Sequence, residues 1–204
     1  MTLISLVRHG LVDNPGQVYY GRLPGFALAA EGRRQAAAAG DYLSGQHIAA
    51  VYHSPMLRAF ETAEIVRRHC AATAPLVECD LLNEIHSPFD GLPATEMEKI
   101  DWNFYRDVVP PYETPEDIVE RMVRFFEKAR REHGDEHVVA VSHADPIAFA
   151  ILWAGGRPLA ADHRKRLTEC GIPADYPAPA SVTTFSFEDS HLAGFRYHSP
   201  GQVE

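Results

Sequence analysis

The sequence predicts an α/β domain in which helices cover both faces of a mostly parallel sheet. Four short apolar segments alternate with segments of helical pattern, the order expected when helical crossovers join parallel strands. Two β-rich segments, Ser181–Phe187 and Leu192–Tyr197, follow and predict an antiparallel hairpin that turns across Asp189-Ser190. We therefore predict one domain over residues 1–204, a three-layer sandwich closed by a C-terminal hairpin.

Composition and charge narrow the function classes. The chain is 46% hydrophobic and has a formal net charge of −9, which disfavours nonspecific binding to nucleic acid or to an anionic membrane. The first apolar segment is too short for a membrane span and has no basic leader before it, so we expect a cytoplasmic protein. Cys70, Cys79 and Cys170 are scattered without zinc spacing, which indicates neither a disulfide framework nor a metal site. We expect small molecules as partners, and the sequence leaves a homodimer open.

The first predicted strand ends in the residues around which the site is built. Leu3–Val7 is a largely apolar run typical of a central strand covered on both faces, and Arg8, His9 and Gly10 follow it directly. In open α/β sheets, ligands bind just beyond the carboxyl ends of the strands. Gly10 is expected to let its amide approach an anion closely.

A long connection punctuated by glycine and proline precedes the first predicted helix, Glu31–Ser44. Long loops in compact domains are usually functional. Asn14, Arg22 and the Tyr20-Gly21 backbone are therefore candidates for lining a phosphate pocket. The alternative at Asn14 is a plain turn.

The second predicted strand, Ala49–His53, runs directly into a helix that Ser54 is expected to cap, with Pro55 in its first turn. This puts Arg58 near the positive end of the helix dipole, where acids are preferred. We interpret Arg58 as a ligand for an anion, which a guanidinium grips in bidentate fashion. The alternative is an ion pair with Glu61 or Glu84.

The third strand, Leu76–Cys79, leads to Glu84, a candidate proton donor just past the strand end. Helices are predicted from Ala94 to Asp107 and from Thr114 to about His133, the second with a cap, a proline and acids in their preferred places. The core-facing residues of the second helix are predicted to be Ile118, Met122, Phe125 and Phe126.

The fourth strand, His137–Ser142, delivers a second histidine, His143, to the same kind of position. The chain resumes as a helix at Ile147, and helix amides at such a switch favour anions. Asp145, before Pro146, is interpreted as the N-cap of this helix. The segment 155–179 is expected to be an irregular excursion that borders the pocket.

Five candidate residues follow strands on one side of the predicted sheet, namely Arg8, His9, Arg58, Glu84 and His143. Two arginines and two histidines suit a dianion, and one histidine can accept a phosphoryl group. The turn after the first strand lacks the glycine fingerprint of a dinucleotide site, which excludes that class.

Taken together, the motifs resemble those of the histidine phosphatase superfamily, in its phosphoglycerate mutase-like branch. They occur in the family's order: Leu6-Val7-Arg8-His9-Gly10, Glu31-Gly32-Arg33-Arg34-Gln35-Ala36, Ser54-Pro55-Met56-Leu57-Arg58-Ala59-Phe60-Glu61-Thr62-Ala63, Leu82-Asn83-Glu84 and Val141-Ser142-His143. The resemblance implies the phosphoglycerate mutase-like fold and a small phosphorylated metabolite as partner.

The resemblance also implies a role for each residue. His9 would be phosphorylated on its ring, while Arg8, Arg58 and His143 would hold the phosphoryl group. Glu84 would exchange protons with the leaving group and water, and neither a metal nor another cofactor would be needed. The candidate phosphate- and substrate-binding residues are Gly10, Asn14, Tyr20, Gly21, Arg22 and Ala144.

This chemistry sets requirements on the side chains. His9 must be neutral, so its second nitrogen should donate to a backbone carbonyl. Burial must raise the pKa of Glu84 if it is to carry a proton near neutral pH. A protonated His143 is expected to stabilise the transition state, and Asp145 is the rival acid.

Three positions depart from the family pattern. Leu11 replaces a glutamate or glutamine, Ala144 replaces a glycine after the second histidine, and Ala29 replaces a threonine that commonly caps the first helix. The first two are expected to place apolar groups near the pocket.

Two alternatives to a phosphatase remain. A cofactor-dependent phosphoglycerate mutase would need further cations for the substrate carboxylate, and the candidates are Lys99, Arg106, Arg121 and Arg124. Arg121 and Arg124 are interpreted as part of a solvated helix face. A noncatalytic protein of the same fold is the other alternative, although such relatives usually lose a pocket residue.

Overall fold

The computed structural model of the protein describes residues 1–189 and 191–199. Within these residues a six-stranded sheet has the strand order β3-β2-β4-β1-β5-β6. The strands are Thr2–Arg8 (β1), Ile48–His53 (β2), Leu76–Glu78 (β3), His137–Ser142 (β4), Val182–Glu188 (β5) and His191–His198 (β6).

The sheet is mostly parallel, as predicted. Strands β1 to β4 pair in parallel, whereas β5 is antiparallel to both β1 and β6. The register sets Arg8 opposite Ser142 and His53 opposite Val141, so β1, β2 and β4 end at one edge. The predicted turn between β5 and β6 includes Ser190, which lies outside the described residues.

Helices cover both faces, which completes the predicted three layers. They are Ala30–Leu43 (α1), Leu57–Cys70 (α2), Ala94–Lys99 (α3), Pro115–His133 (α4) and Ala144–Ala154 (α5). One face packs α1 and α2 against the sheet through small residues such as Ala59 and Ala63. The other packs α4 and α5 through larger side chains, including Phe125 and Phe149. The predicted core residues Ile118, Met122, Phe125 and Phe126 are all buried.

Helix α3 is shorter than predicted and ends at Lys99. Asp101, Trp102 and Asp107 have positive φ angles of 49°, 54° and 54°, which an α-helix does not accept. The side chain of Lys165 donates to the carbonyl of Asp101, and that of Arg164 donates to the carbonyl of Trp102. Contacts with a distant segment thus override the helical pattern.

Two helix starts also differ from prediction. Helix α2 begins at Leu57 with Met56 at its N-cap, so Ser54 is not the cap and Pro55 lies outside the helix. Helix α5 begins at Ala144 rather than Ile147, which places Pro146 in the first turn, where proline is tolerated. The segment 155–179 is irregular, as predicted, apart from 3-10 turns at His163–Lys165 and Leu167–Cys170.

None of the described helices combines the length and apolarity needed to cross a bilayer. The three cysteines are all free thiols, which agrees with the absence of a disulfide pattern in the sequence.

Candidate active site

His9 stands at the carboxyl end of β1, between two neighbouring strands. Its N–H donates to the carbonyl of Ser142 over 3.0 Å, and its own carbonyl accepts from the N–H of Ala180 over 3.3 Å. The side chain is buried. The sheet therefore fixes the backbone from which the imidazole projects.

The tautomer of His9 follows from its neighbour. Nδ1 lies 2.8 Å from the carbonyl oxygen of Gly10, and because a carbonyl can only accept, Nδ1 carries the hydrogen. This confirms the predicted hydrogen bond and leaves the lone pair on Nε2. Burial, then Arg58 and Arg8, hold the pKa of His9 well below its usual value, so the ring is neutral.

Gly10 is required for a close backbone approach. A Cβ at this position would lie 2.3 Å from the carbonyl oxygen of Gly32, at the start of α1. The sequence predicts a Gly10 amide that is available to an anion. In the structure this amide instead donates to Oγ1 of Thr62 over 3.1 Å. That hydroxyl in turn donates to the carbonyl of Arg58, so Thr62 ties the β1 loop to α2.

Arg58 lies in the first turn of α2 and reaches the centre of the site. Its Nε donates to Nε2 of His9 over 3.3 Å, and its Nη2 lies 2.7 Å from the carbonyl of Gly21 and 3.1 Å from Nδ1 of His143. The ring of Tyr20 lies 4.7 Å from the guanidinium carbon, a cation–π contact. Arg58 is 1% exposed, so its charge acts in a poorly screened environment.

Glu84 is the carboxylate that faces Arg58. Its Oε2 lies 3.5 Å from Nη2 of Arg58 and 3.4 Å from Nδ1 of His143, and its Oε1 accepts from the N–H of Ile85 over 2.9 Å. Burial raises the pKa of Glu84, and Arg58 opposes that rise. This is the direction that a proton donor requires. Glu61, the other predicted partner of Arg58, instead binds Arg33.

His143 is neutral in the free site, and its protonation in the phosphoryl transition state stays a prediction. Its Nδ1 accepts from Arg58, and its Nε2 lies 2.8 Å from Oγ of Ser54. Burial, followed by the charge of Arg58, lowers its pKa well below the usual value. Ser54, expected to cap a helix, is thus a partner of His143.

Arg8 is held from the other side by the segment 155–179. Its Nη1 donates to the carbonyl of Pro177 over 2.6 Å, and its guanidinium carbon lies 5.7 Å from the centre of the Tyr176 ring. Among the described residues, the buried Nε of Arg8 has no hydrogen-bond partner. A donor therefore remains for a ligand.

Asp145 is the centre of a buried network, and its interpretation as an N-cap is wrong. The N-cap of α5 is His143, and Asp145 lies inside the first turn. Both of its oxygens accept from Nε of Arg164 at 3.0 Å, and one also accepts from the hydroxyl of Tyr105 over 2.5 Å. The hydroxyl of Tyr176 donates to the other oxygen. Asp145 thereby joins α5 to two irregular segments.

A cavity of about 690 Å³ reaches this site, although Arg58 and His143 do not lie on its wall. Arg8, His9, Glu84 and Ala144 lie on its walls, together with five aromatic residues, namely Tyr19, Tyr20, Trp102, Phe104 and Tyr176. Tyr19 and Phe104 stack with their ring centres 4.6 Å apart. The irregular segments before α1, around α3 and after α5 all contribute to the cavity; the first and the last were expected from the sequence.

The remaining predicted binding residues form hydrogen bonds within the protein that hold the loops and side chains of the site. Asn14 lines the cavity, but its amide group bonds both backbone groups of Val18 and closes a turn. Gly21 and Arg22 are not part of the wall. The carbonyl of Gly21 binds Arg58, and Nε of Arg22 donates to the carbonyl of Glu84 over 2.8 Å. Leu11 is 46% exposed and lies off the cavity, contrary to expectation.

The donor atoms of His9, Glu84 and His143 lie within 4.8 Å of one another, a spacing that a metal ion accepts. However, Arg58 donates to both imidazoles and lies 3.5 Å from the carboxylate. A divalent cation at the same point would meet the repulsion of this buried guanidinium. The donor set therefore fits Arg58 better than a metal.

Sequence reasoning missed four side chains that support the site, namely Tyr105, Glu113, Arg164 and Tyr176. Each is joined to its partner across a long stretch of chain or through an irregular segment, and no local pattern marks such a contact. Arg121 was misplaced for the same reason: it is buried against Glu113 rather than part of a solvated helix face.

Comparison with known sequences identifies the class of protein. The histidine phosphatase superfamily (branch 1) matches residues 4–174. The chain therefore belongs to the histidine phosphatase superfamily, which agrees with the motifs at the strand ends.

Individual relatives extend the match. The uncharacterized protein Rv0525 of Mycobacterium tuberculosis is 36% identical over 211 residues, covering 99% of this chain and 98% of the relative. Phosphoserine phosphatase 1 of Hydrogenobacter thermophilus is 31% identical over 157 residues, covering 72% and 73%. The solved structure of YhfR from Bacillus stearothermophilus has a TM-score of 0.80 at 25% identity and covers 100% of this chain and 98% of its own. The family and its named relatives indicate phosphatase activity.

Proposed function

We propose that the protein is a phosphatase that hydrolyses a small phosphorylated metabolite, a phosphomonoester, through a phosphohistidine on His9. The observation that carries this proposal is the state of His9. It is a buried, neutral imidazole whose Nδ1–H is fixed by Gly10 and whose Nε2 lone pair lies among cations. A neutral, oriented imidazole is the form that attacks phosphorus.

The first chemical step transfers the phosphoryl group. Nε2 of His9 forms a bond to phosphorus while the ester P–O bond breaks, and Glu84 gives its proton to the departing oxygen. Arg8 and Arg58 stabilise the charge on the equatorial oxygens from fixed positions. A bound dianion also raises the pKa of His143, so that this ring takes up a proton and donates through Nδ1.

The second step returns the enzyme to its starting state. Water attacks phosphorus, Glu84 takes the proton of the water, and the P–N bond breaks as the electron pair returns to Nε2 of His9. Orthophosphate then leaves. No metal takes part, because the positive charge comes from the side chains.

A mutase reaction has less support. Lys99 pairs with Glu96, Arg121 is buried against Glu113, and Arg106 and Arg124 lie outside the cavity wall. The wall does contain Arg164 and Lys165, but Asp145 and Asp101 pair with them. The candidate cations for a substrate carboxylate are therefore either paired with carboxylates or outside the cavity wall.

The cavity wall supports an organic group with apolar surface on the substrate. The aromatic rings offer contact area but few hydrogen bonds, and such walls favour apolar ligand groups. A relative is named as a phosphoserine phosphatase. Phosphoserine therefore belongs in a substrate screen beside aryl and alkyl phosphates.

The test combines turnover with chemical trapping. Wild-type protein should hydrolyse p-nitrophenyl phosphate and should carry acid-labile, base-stable label after a rapid quench with labelled substrate. His9→Ala should lose both while keeping its circular dichroism spectrum. Full turnover in the variant would contradict the nucleophile assignment. A folded wild-type protein that shows neither a burst nor turnover would favour a noncatalytic role.

A further inference from the structure

Glu113 lies just before α4 and holds two arginines. Its Oε2 accepts from Nη2 of Arg22 over 2.9 Å, and its Oε1 accepts from Nε of Arg121 over 2.7 Å. The Glu113 side chain is 16% exposed and that of Arg121 is 10% exposed. These pairs are therefore less screened by solvent than ordinary surface ion pairs.

Both arginines also donate hydrogen bonds to the segment that carries Glu84. Arg22 donates through Nε to the carbonyl of Glu84 over 2.8 Å, and Arg121 donates through Nη1 to the carbonyl of Leu81 over 2.9 Å. Glu113 itself accepts from the N–H of His86 over 2.7 Å. Three hydrogen bonds organised by one carboxylate thus end on residues 81–86.

Regular secondary structure does not fix this segment. After the 3-10 turn Asp80–Leu82, the next helix begins at Ala94. The N–H groups of Glu84 and Ile85 bond to side chains of the segment itself, those of Asn83 and Glu84. The position of the segment relative to His143 must therefore come from tertiary contacts.

We propose that Glu113 is a positioning residue that sets the place of the Glu84 carboxyl group through Arg22 and Arg121. The inference rests on the proposed function, in which Glu84 protonates the leaving group. Without the Glu113 charge, two partly buried cations would face each other and their bonds to residues 81–86 would loosen. The Glu84 carboxyl would then lie less often within reach of the leaving oxygen.

The test compares two substrates in single-turnover experiments. In Glu113→Gln, the phosphorylation rate with ethyl phosphate should fall by about tenfold, a fraction of the whole effect of a general acid. The rate with p-nitrophenyl phosphate should change less than about twofold, because a nitrophenolate leaves well without a proton. Glu61→Gln is the matched control. Glu61 is 17% exposed and also binds an arginine and a backbone N–H, but these partners, Arg33 and Leu28, lie outside the segment that carries Glu84.

A double mutant separates positioning from general stability. If Glu113 acts through Glu84, adding Glu113→Gln to Glu84→Gln should cause no further loss with ethyl phosphate. A merely structural role would give additive losses and equal losses on both substrates, and either result would overturn the inference. Arg22→Gln, at a side chain that is 30% exposed, provides a second variant with the same expected substrate dependence if Glu113→Gln fails to fold.

The experiment also distinguishes failure of the inference from failure of the proposed function. If Glu84→Gln slows phosphorylation by both substrates equally, Glu84 is not the acid and the inference about Glu113 falls, whereas the phosphatase proposal falls only if His9→Ala keeps full turnover. If Glu84→Gln discriminates between the substrates but Glu113→Gln does not, the acid role stands and the positioning role of Glu113 is wrong.

Discussion

Nε of Arg58 lies 3.3 Å from Nε2 of His9, so the arginine donates a hydrogen bond to the nitrogen that would attack phosphorus. The bond occupies the lone pair in the free site and has to break when the phosphoryl group arrives. The same contact keeps a positive charge beside the ring, which disfavours its protonation. Burial and Arg58 together thus keep the proposed nucleophile neutral before a substrate binds.

Arg58→Met should lower kcat/KM for p-nitrophenyl phosphate by about 10²–10³-fold, because a fixed donor to the transition state is lost. It should also raise the pKa of His9. Activity that requires a neutral His9 is lost as the pH falls through this pKa, so the acid limb of the profile should move to higher pH. The measurement is kcat/KM against pH, with the half-exposed Arg33→Met as a control. An unmoved acid limb would contradict the electrostatic role.

Vanadate and orthophosphate should inhibit competitively, and a chelator should leave the rate unchanged. The reason is that Arg8 and Arg58 supply the positive charge that a dianion needs, and the bound dianion favours protonation of His143. Steady-state inhibition and prolonged dialysis against EDTA provide the measurement. Loss of activity on dialysis and its return with a divalent cation would show that His9, Glu84 and His143 hold a metal after all.

Tyr176→Phe should weaken vanadate inhibition more than Tyr105→Phe does. Each variant removes one hydrogen bond to the Asp145 carboxylate, but only Tyr176 contacts Arg8 and precedes the carbonyl that binds it. Loss of the hydrogen bond between the Tyr176 hydroxyl and Asp145 should raise the inhibition constant of vanadate by about three- to tenfold, an effect comparable to one neutral hydrogen bond. Equal effects of the two variants would mean that the network around Asp145 acts only on stability.

His137 should make the protein less stable in mild acid. Burial, then the charge of Arg196, lowers its pKa to about 4, from about 6.5 in an unfolded chain. Protonation therefore favours the unfolded state, and stability present above about pH 6.5 is lost as the pH falls towards about 4. By about pH 5 this single group should cost about 2 kcal/mol.

Urea unfolding at about pH 7 and about pH 5 tests this expectation. At the higher pH, His137→Gln should have a lower free energy of unfolding than wild type, because the substitution removes the hydrogen bond to Ser5. At the lower pH the difference in free energy of unfolding between the two proteins should be smaller. The exposed His47→Gln is the matched control. Parallel pH dependences for wild type and His137→Gln would contradict the assignment.

The sheet and the placement of the main site residues were predictable because both depend on short-range patterns. An apolar run that ends in Arg8-His9-Gly10 or in Ser142-His143 indicates both a strand and the residue at which the strand ends. Parallel pairing then brings the carboxyl ends of these strands to one edge of the sheet, and this does not depend on the structure of the connecting segments. The family motifs added the roles of the residues but were not needed for their placement.

The supporting contacts were not predictable, because they join residues whose local patterns have another meaning. Asp145 before Pro146 fits a helix cap, yet the side chain binds Arg164, 19 residues further along. Arg121 fits a solvated helix face, yet it reaches the carbonyl of Leu81. The pattern from Ala94 to Asp107 fits a helix, yet contacts from Lys165 and Arg164 stabilise another backbone path.

The place of β1 in the sheet has a consequence for the order in which the molecule is made. This strand carries His9 but pairs with β4 and β5, whose residues lie more than a hundred positions later in the chain. During synthesis, the strand with the nucleophile stays without its neighbours until most of the chain has left the ribosome. Such distant pairings are slow to form. We therefore expect the site to assemble only after β5 has left the ribosome, and the apolar β1 segment, which is unpaired until then, to bind chaperones early.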